Sequence, residues 1–487
     1  MRKGFKYLLG ASLFIGFMGR TVRAEDRDAL LSEVRNGMRK AGETWAGDVA
    51  SHGGYVWEYS TDLVTRRRGE SKNLPLSTVW VQAGTPMVGE AFLRAYEVTG
   101  EAAYLEAALN AGRCLSWGQL QSGGWGYSIE FDLDRNHYKY HHLDDPQATN
   151  NTTTFDDDNT QSATRFLMHL DRWVDEREID ASIERALDGF LEAQYEEMPW
   201  KGAWPQRYPP PKGYAAFPTF NDNTMSDCVR TMFMAYEQYG NKRALRSVKD
   251  CLDFYLRSQR EAPQSTWAQQ YDEKLEPAWA RKFEPPSVSG AESCGNCNLL
   301  MDIYLELGDE KLLDAVGRTV DWYEASRIGG TEEEGVWARF YELETNKPLY
   351  FTKTYELVYT DDDLPIHYSF KGNYGVNGMI SRYETIRKTG REALLAEREK
   401  LMEIEEWADR AKTLAEGVRA VLDAMDEKGR WVKKVPKTEQ KRDEKGRVVR
   451  VVDKNVQLEM MYTRGFVQNL RTLADYVEAA QGGPKRR

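Results

Sequence analysis

Three consecutive aspartates, Asp156-Asp157-Asp158, stand in the phrase Thr154-Phe-Asp-Asp-Asp-Asn-Thr160, directly before a stretch with helical spacing of apolar residues. One aspartate is enough to cap a helix N-terminus, where the helix dipole favours negative charge. Three exceed that need, and crowded carboxylates repel one another unless a cation compensates, which points to Ca2+. Asn221-Asp222-Asn223 repeats the arrangement before a later helix, and neither segment has the pattern of a complete EF-hand loop. A second set of residues is cationic. Arg281 and Arg339 lie in the matching phrases Trp279-Ala-Arg-Lys-Phe-Glu284 and Trp337-Ala-Arg-Phe-Tyr-Glu342. Arg is the side chain best suited to hold a carboxylate by two hydrogen bonds, while Glu284 and Glu342 are the neighbours that would make either Arg structural. Trp125, Trp204, Trp267 and Trp337 recur in the same loops, either to stack on sugar rings or to fill the hub of the fold. Aromatic faces, Arg and Asp presented together suit a sugar acid.

The elements that must position these residues are helix pairs. Amphipathic stretches at Trp80–Val98 and Ala102–Leu120, Thr160–Val174 and Ala181–Tyr195, Met225–Tyr239 and Lys242–Gln259, and Cys297–Gly308 and Glu310–Ala325 are each followed by a Trp-bearing loop. A fifth unit runs from Val376 to Trp431, and a helical stretch over Asn455–Ala480 closes the array. Self-similarity at about 60 to 90 residues marks a repeated supersecondary unit. The predicted fold is all-α: an α/α toroid of successive helical hairpins whose loops line a cleft at one end, which brings Asp156 and Asp222 close enough to share one ion. An open α-solenoid with purely structural Trp residues is the alternative. Strand signals are confined to short pieces near Trp431 and Val448–Val452, Lys434–Lys454 reads as a charged hairpin or loop, and Glu392–Ala415 as a solvated outer helix.

The chain has 487 residues and a net charge of −11, with 66 Lys and Arg against 77 Asp and Glu, which argues against nucleic acid and anionic membrane as partners. An acidic protein holds a polyanion only through a local cation cluster or a bridging metal. Arg2, Lys3 and Lys6 precede the apolar run Tyr7–Met18 and the small-residue site Val22-Arg23-Ala24, so residues 1–24 read as an export signal. Residues 25–487 then form one domain, secreted or periplasmic, with no stable membrane insertion. Five cysteines leave at least one thiol unpaired within the chain, and Cys294-Gly-Asn-Cys297 reads as structural thiols or one local disulfide.

Five phrases, taken in order, carry a resemblance. T-F-D-D-D-N-T (154–160), W-P-Q-R-Y-P (204–209), F-N-D-N-T-M (220–225), P-A-W-A-R-K-F-E-P-P-S-V-S-G-A-E-S (277–293) and V-W-A-R-F-Y-E-L-E-T-N-K-P (336–348) resemble polysaccharide lyase family 10 pectate lyases over roughly Trp80–Tyr350. The resemblance implies an α/α toroid, a bound Ca2+ and cleavage of polygalacturonate by β-elimination to 4,5-unsaturated oligogalacturonides. Carried onto this chain, it implies Asp156 and Asp222 as calcium-site residues and Arg281 as catalytic base. Arg339 would hold a substrate carboxylate, with Trp204, Gln206 and Trp337 as further substrate-binding residues.

The chain departs from that pattern. Tyr350-Phe-Thr-Lys-Thr-Tyr355 replaces an expected S-G-R-D-G phrase, Asn373-Tyr-Gly-Val-Asn-Gly378 replaces a Tyr- and Trp-rich one, and the segment before Asp222 lacks the family's His. Roughly the last 130 residues, with additional helices over 376–487, have no counterpart. Two rival readings stand beside the lyase: a glycoside hydrolase using Asp156 or Asp158 with Glu292 as acid and base, and a non-catalytic uronide-binding relative. A hydrolase gives saturated ends, whereas a lyase gives an ultraviolet-absorbing double bond.

Overall fold

The computed structural model describes residues 24–68, 72–331, 334–366, 368–404, 407–442 and 448–483. The expected export signal lies outside them apart from Ala24, where the first helix begins. The α-helices of the described residues are α1 (Ala24–Glu43), α2 (Thr85–Thr99), α3 (Ala102–Trp117), α4 (Asn159–Leu170), α5 (Arg177–Ala193), α6 (Thr224–Tyr239) and α7 (Lys242–Ser258). After these come α8 (Glu292–Leu307), α9 (Glu310–Ala325), α10 (Val376–Thr389), α11 (Arg391–Ile404), α12 (Trp407–Asp423) and α13 (Thr463–Ala480).

Local sequence explains the pairing. The first helix of a pair ends on a left-handed glycine, Gly100 (φ 73°), Gly240 (φ 66°) or Gly308 (φ 74°), whose N–H closes the last turn. The next residue starts the second helix: the Asn241 side chain accepts from the N–H groups of Arg243 and Ala244, and Asp309 from that of Lys311. The result is a tight αα-hairpin. First helices pack side by side in the series α13, α2, α4, α6, α8, α10, and second helices lie outside them, as in α2 with α3 and α6 with α7. The helix α1 joins α13 and α12, so the two ends of the chain complete one sector together. This is the expected α/α toroid.

Two devices lock the hairpins, a Trp in five of them and a Gln in three. The indole N–H of Trp125 donates to the Leu115 carbonyl, that of Trp204 to Phe190, that of Trp267 to Tyr255, that of Trp337 to Tyr323 and that of Trp431 to Val421, each at 2.8 Å. Every one of these carbonyls lies in the last turns of the outer helix before the loop, where backbone donors run out. Glutamines supply the second device. The side-chain N–H groups of Gln119 reach the carbonyls of Gly123 (2.6 Å) and Ser182 (2.9 Å), those of Gln194 reach Gly202 (2.7 Å) and Ser247 (2.9 Å), and those of Gln259 reach Ser265 (3.2 Å) and Ala315 (2.8 Å). Each thus ties its own loop to the next outer helix.

This corrects the expectation that Trp204 and Trp337 bind substrate. Trp204 is 0% exposed and Trp337 is 3% exposed, with their only polar atoms engaged, so neither ring has a free face for a sugar. A second correction concerns the C-terminal region. The expected helix at Asn455–Ala480 begins only at Thr463; Val448–Tyr462 is a strand, paired with Val432–Arg442 and, at its end, with Glu58–Ser60. Val456, Leu458 and Met460 alternate with polar residues, a period of two that suits a strand. With Arg66–Arg68 and Lys72–Asn73 these strands form a five-stranded antiparallel sheet. The charged Glu392–Ala415 stretch is helical at its described residues, in α11 and α12. All five cysteines are buried free thiols, Cys294 and Cys297 in the first turns of α8, with burial pushing the Cys294 thiol up to about 12.

Candidate active site

All first helices run in one direction, so the loops that enter them gather at one end of the toroid, and the expected site residues gather there too. A single turn of 3-10 helix, Asp156–Asp158, precedes α4, and Asn221–Asn223 precedes α6. These two turns touch each other, and the second touches α8. Their backbones match: Asp157 and Asp158 have φ of 55° and 57°, and Asp222 and Asn223 have φ of 48° and 59°. Asp and Asn are the non-glycine residues that best tolerate this left-handed region. The match pairs Phe155 with Phe220 and Asp157, rather than Asp156, with Asp222.

The carboxylates crowd as the sequence suggested. Burial, Asp222 and Asp157 push the Asp156 carboxyl up to about 7, although Tyr127 and Arg207 pull it down. Burial, Asp157 and Glu292 push Asp222 up to about 6, against the pull of Arg281 and Arg339. Tyr127 Oη donates to Asp157 Oδ2 (2.9 Å) and Asp156 Oδ2 (3.2 Å), and Gln206 Nε2 donates to Asp156 Oδ1 (3.1 Å). The third aspartate points elsewhere: Asp158 accepts twice from Arg165 Nη2 at 2.7 Å. Asn221 donates to Asp222, while its own Oδ1 is buried without a hydrogen-bond donor.

A hard divalent cation fits this donor set. The Asp156, Asp157 and Asp222 oxygens and the orphaned Asn221 Oδ1 are the ligand type that calcium takes, and Asp156 and Asp222 stay raised although arginines stand nearby. They do not form a finished cage: among the described residues no group of three or more His, Cys, Asp and Glu side chains is gathered at metal-binding spacing. Ligands from solvent or substrate would have to complete the shell.

The arginines lie on the α8 side of the carboxylates. Arg281 holds Glu284 with both edges, Nε to Oε2 at 2.8 Å and Nη2 to Oε1 at 2.5 Å, and Tyr368 Oη donates to Glu284 Oε1 at 2.8 Å. The hydrogen bond to Glu284 is the main reason the Arg281 guanidinium is held above its ordinary pKa, and Asp222 adds to it. Glu284 is therefore the close partner that the alternative reading of Arg281 anticipated. Arg339 instead pairs with Glu292, which also accepts from Ser289, and not with Glu342. Burial works most strongly against the charge on Arg339, and Glu292, Tyr368, Tyr374 and Asp222 together outweigh it. The Arg339 guanidinium lies 4.4 Å from the Tyr368 ring centroid, and its Nε is buried without an acceptor.

The two arginine phrases look alike but are not equivalent. Trp337 is a buried locking Trp, whereas Trp279 is 49% exposed in the loop between α7 and α8. The true repeat lies two positions after the first four locking Trp residues: Tyr127, Gln206, Gln269 and Arg339. Gln206 and Gln269 each accept, through the backbone carbonyl, the N–H of the phenylalanine before an acidic turn, Phe155 (3.0 Å) and Phe220 (2.8 Å). Sequence reasoning missed Tyr127, Asp157 as the partner of Asp222, and Tyr368. The spacing Trp-x-Tyr, Trp-x-Gln and Trp-x-Arg was the signal for the first; no sequence signal marks Tyr368, which reaches Glu284 from 84 residues away.

No curated protein matches the chain significantly. Among solved structures, the chain is similar to the family 10 polysaccharide lyase from Cellvibrio cellulosa, at 20% identity and a TM-score of 0.47, over 61% of this chain and 97% of that one. A mutant of that lyase in complex with trigalaturonic acid gives the same identity and TM-score, with 98% of that chain covered. The GH76 α-mannanase of Bacteroides thetaiotaomicron is 9% identical with a TM-score of 0.42, over 93% of this chain and 95% of that one. The family model described as pectic acid lyase matches residues 119–378, which is more than half of the chain and contains every carboxylate and arginine described above. With its cleft residues inside that span, this protein belongs to the pectic acid lyase family and is a polysaccharide lyase.

Proposed function

We propose that the protein is an exported, calcium-dependent pectate lyase that cleaves polygalacturonate by β-elimination to 4,5-unsaturated oligogalacturonides. The observation that carries this reading is the meeting of Asp156, Asp157 and Asp222 with Arg281 and Arg339 at one end of the toroid: opposite charges of both kinds that a carboxylate substrate and a cation would together neutralise. Export is read from the leader at residues 1–24 alone.

The chemistry starts from a proton on carbon 5 of a galacturonate residue, alpha to its carboxylate and very weakly acidic. Calcium, held by Asp156 and Asp222 with Asp157 beside them, would supply charge withdrawal from that carboxylate and so stabilise the carbanion. Arg339 orients the substrate by its carboxylate, while Glu292 and Tyr368 hold the guanidinium in place. Arg281 takes the proton, as the family resemblance implies. In this structure Glu284 and Asp222 both keep its proton on. Abstraction therefore requires Arg281 first to leave its two-edged grip on Glu284 and release one proton to solvent, which alkaline pH and compensation of the Asp222 charge favour; the neutral side chain then accepts the carbon 5 proton. The oxygen on carbon 4 then leaves and no water is consumed.

The hydrolase reading needs a free acid and a free base. Asp158 is engaged by Arg165, and Glu292 by Arg339 and Ser289, which disfavours that pair. The test is incubation with polygalacturonate at alkaline pH, with calcium or with a chelator, followed by ultraviolet absorbance of unsaturated ends. A calcium-dependent rise supports the lyase reading in full; new saturated reducing ends without absorbance would overturn it.

A further inference from the structure

The acidic turns and arginines stand in front of α4, α6 and α8. The sectors in front of α13 and α2, at the same end of the toroid, carry the five-stranded sheet, whose strands lead into those two helices. That sheet is assembled from residues 58–73 and 432–462, both outside the span matched by the family model. Its charge is opposite to that of the molecule. In a chain of net charge −11, residues 432–442 and 448–462 contain seven Lys and Arg against three Asp and Glu, and the neighbouring strand is Arg66-Arg67-Arg68.

The sheet is joined to the reaction centre by direct contacts. The Arg68 guanidinium lies 4.7 Å from the Trp80 ring centroid. Trp80 stacks on Tyr127 with centroids 6.0 Å apart and planes 10° from parallel, and Tyr127 donates to Asp156 and Asp157. Register places Glu58 opposite both Tyr462 and Arg67, and Lys433 opposite Met460, so Arg67, Lys433 and Tyr462 share one face. Lys433 lies 6.0 Å from the centroid of the Tyr462 ring. Lys434, on the other face, pairs with Glu459 at 3.6 Å.

We propose that this sheet is a polyanion-binding platform that takes the acidic polysaccharide where it runs out of the carboxylate–arginine cluster. Arg67 and Lys433, on one face, meet uronate carboxylates there, and Tyr462 offers a ring on the same face. The proposal rests on the reading of the substrate as a polyuronate. It explains why an acidic protein devotes both chain ends to a basic sheet at the rim of its cleft. Each exposed cation contributes little alone, about 0.2–1 kcal/mol, and a polymer sums them with strong sensitivity to salt.

The test compares the full-length wild type with the double variant Arg67→Glu, Lys433→Glu, shown by circular dichroism and melting to be folded. Affinity electrophoresis through polygalacturonate gels reads binding apart from turnover. The variant should lose about tenfold in affinity at low salt, and its affinity should vary less with salt. The ratio of kcat/KM on polygalacturonate to that on trigalacturonate should fall by a similar factor. Equal retardation of both proteins, or a wild type that polygalacturonate does not retard, overturns the platform. If the variant instead loses affinity only for vesicles of anionic phospholipid, the sheet is a membrane contact and the proposal fails. A wild type that binds polygalacturonate without forming unsaturated product refutes the lyase reading, while the gel still decides the role of the sheet.

Discussion

At the scale of single residues, protonation is the variable that governs this site. Asp156 and Asp222 are displaced upward to about 7 and about 6, so the folded protein binds protons there that the unfolded chain has released. A raised carboxyl pKa contributes stability at low pH, and that contribution is lost as pH climbs from the ordinary Asp value near 4 through the folded values. With a chelator present, the melting temperature should therefore fall between pH 5 and pH 8. Calcium should restore it, and the restoration should be larger at pH 8 than at pH 5, because the cation competes with protons for the same oxygens. Asp156→Asn should flatten the chelator profile and weaken the calcium response; calorimetry across this range checks both. Arg281→Ala should lower kcat on polygalacturonate about 10²–10⁴-fold, the loss expected for a general base, with fold and calcium-induced stabilisation retained. A variant that keeps wild-type turnover would remove Arg281 from the role of base.

At the scale of elements, the locking Trp and Gln positions make a separate prediction. Trp204→Phe keeps an aromatic ring but leaves the Phe190 carbonyl without its donor, at a cost of about 1–3 kcal/mol. The melting temperature should drop while KM for polygalacturonate stays unchanged. A raised KM with unaltered stability would instead return Trp204 to the substrate. Trp204 and Trp337 could not be sorted from exposed aromatics by sequence, because a Trp in a polar loop reads the same whether its indole N–H serves a neighbouring helix end or faces a sugar. The acidic turns, by contrast, were legible: three aspartates in a row carry a repulsion that local sequence alone exposes. What was not legible was their register. Only the paired left-handed backbones at Asp157–Asp158 and Asp222–Asn223 show that Asp157, not Asp156, is the repeat partner of Asp222.

At the scale of the whole molecule, the toroid depends on its ends. Arg94 of α2 donates to Glu478 (2.7 Å) and Asp475 (2.9 Å) of α13, and Glu478 is buried. Arg94→Met removes one partner of a largely buried ion pair and should cost about 1–3 kcal/mol, seen as a lower denaturant midpoint. A chain stopped at residue 378, the end of the family-matched span, lacks α12 and α13 and leaves the apolar faces of α1 and α2 open. It should not give a cooperative melting transition.

The sequence by itself determined the helical-hairpin repeat, the acidic turns, the two arginines and the family resemblance. Each is written in residue type and short-range spacing, which survive without coordinates. Tertiary structure alone decided which aromatic rings are buried, which carboxylate each arginine holds, and that residues 448–462 form a strand. Arg339 finds Glu292 across 47 residues, Tyr368 finds Glu284 across 84, and the strand pairs with Glu58–Ser60 some 400 residues earlier. Pairings of that range depend on how the ring closes, and local propensity carries no record of it.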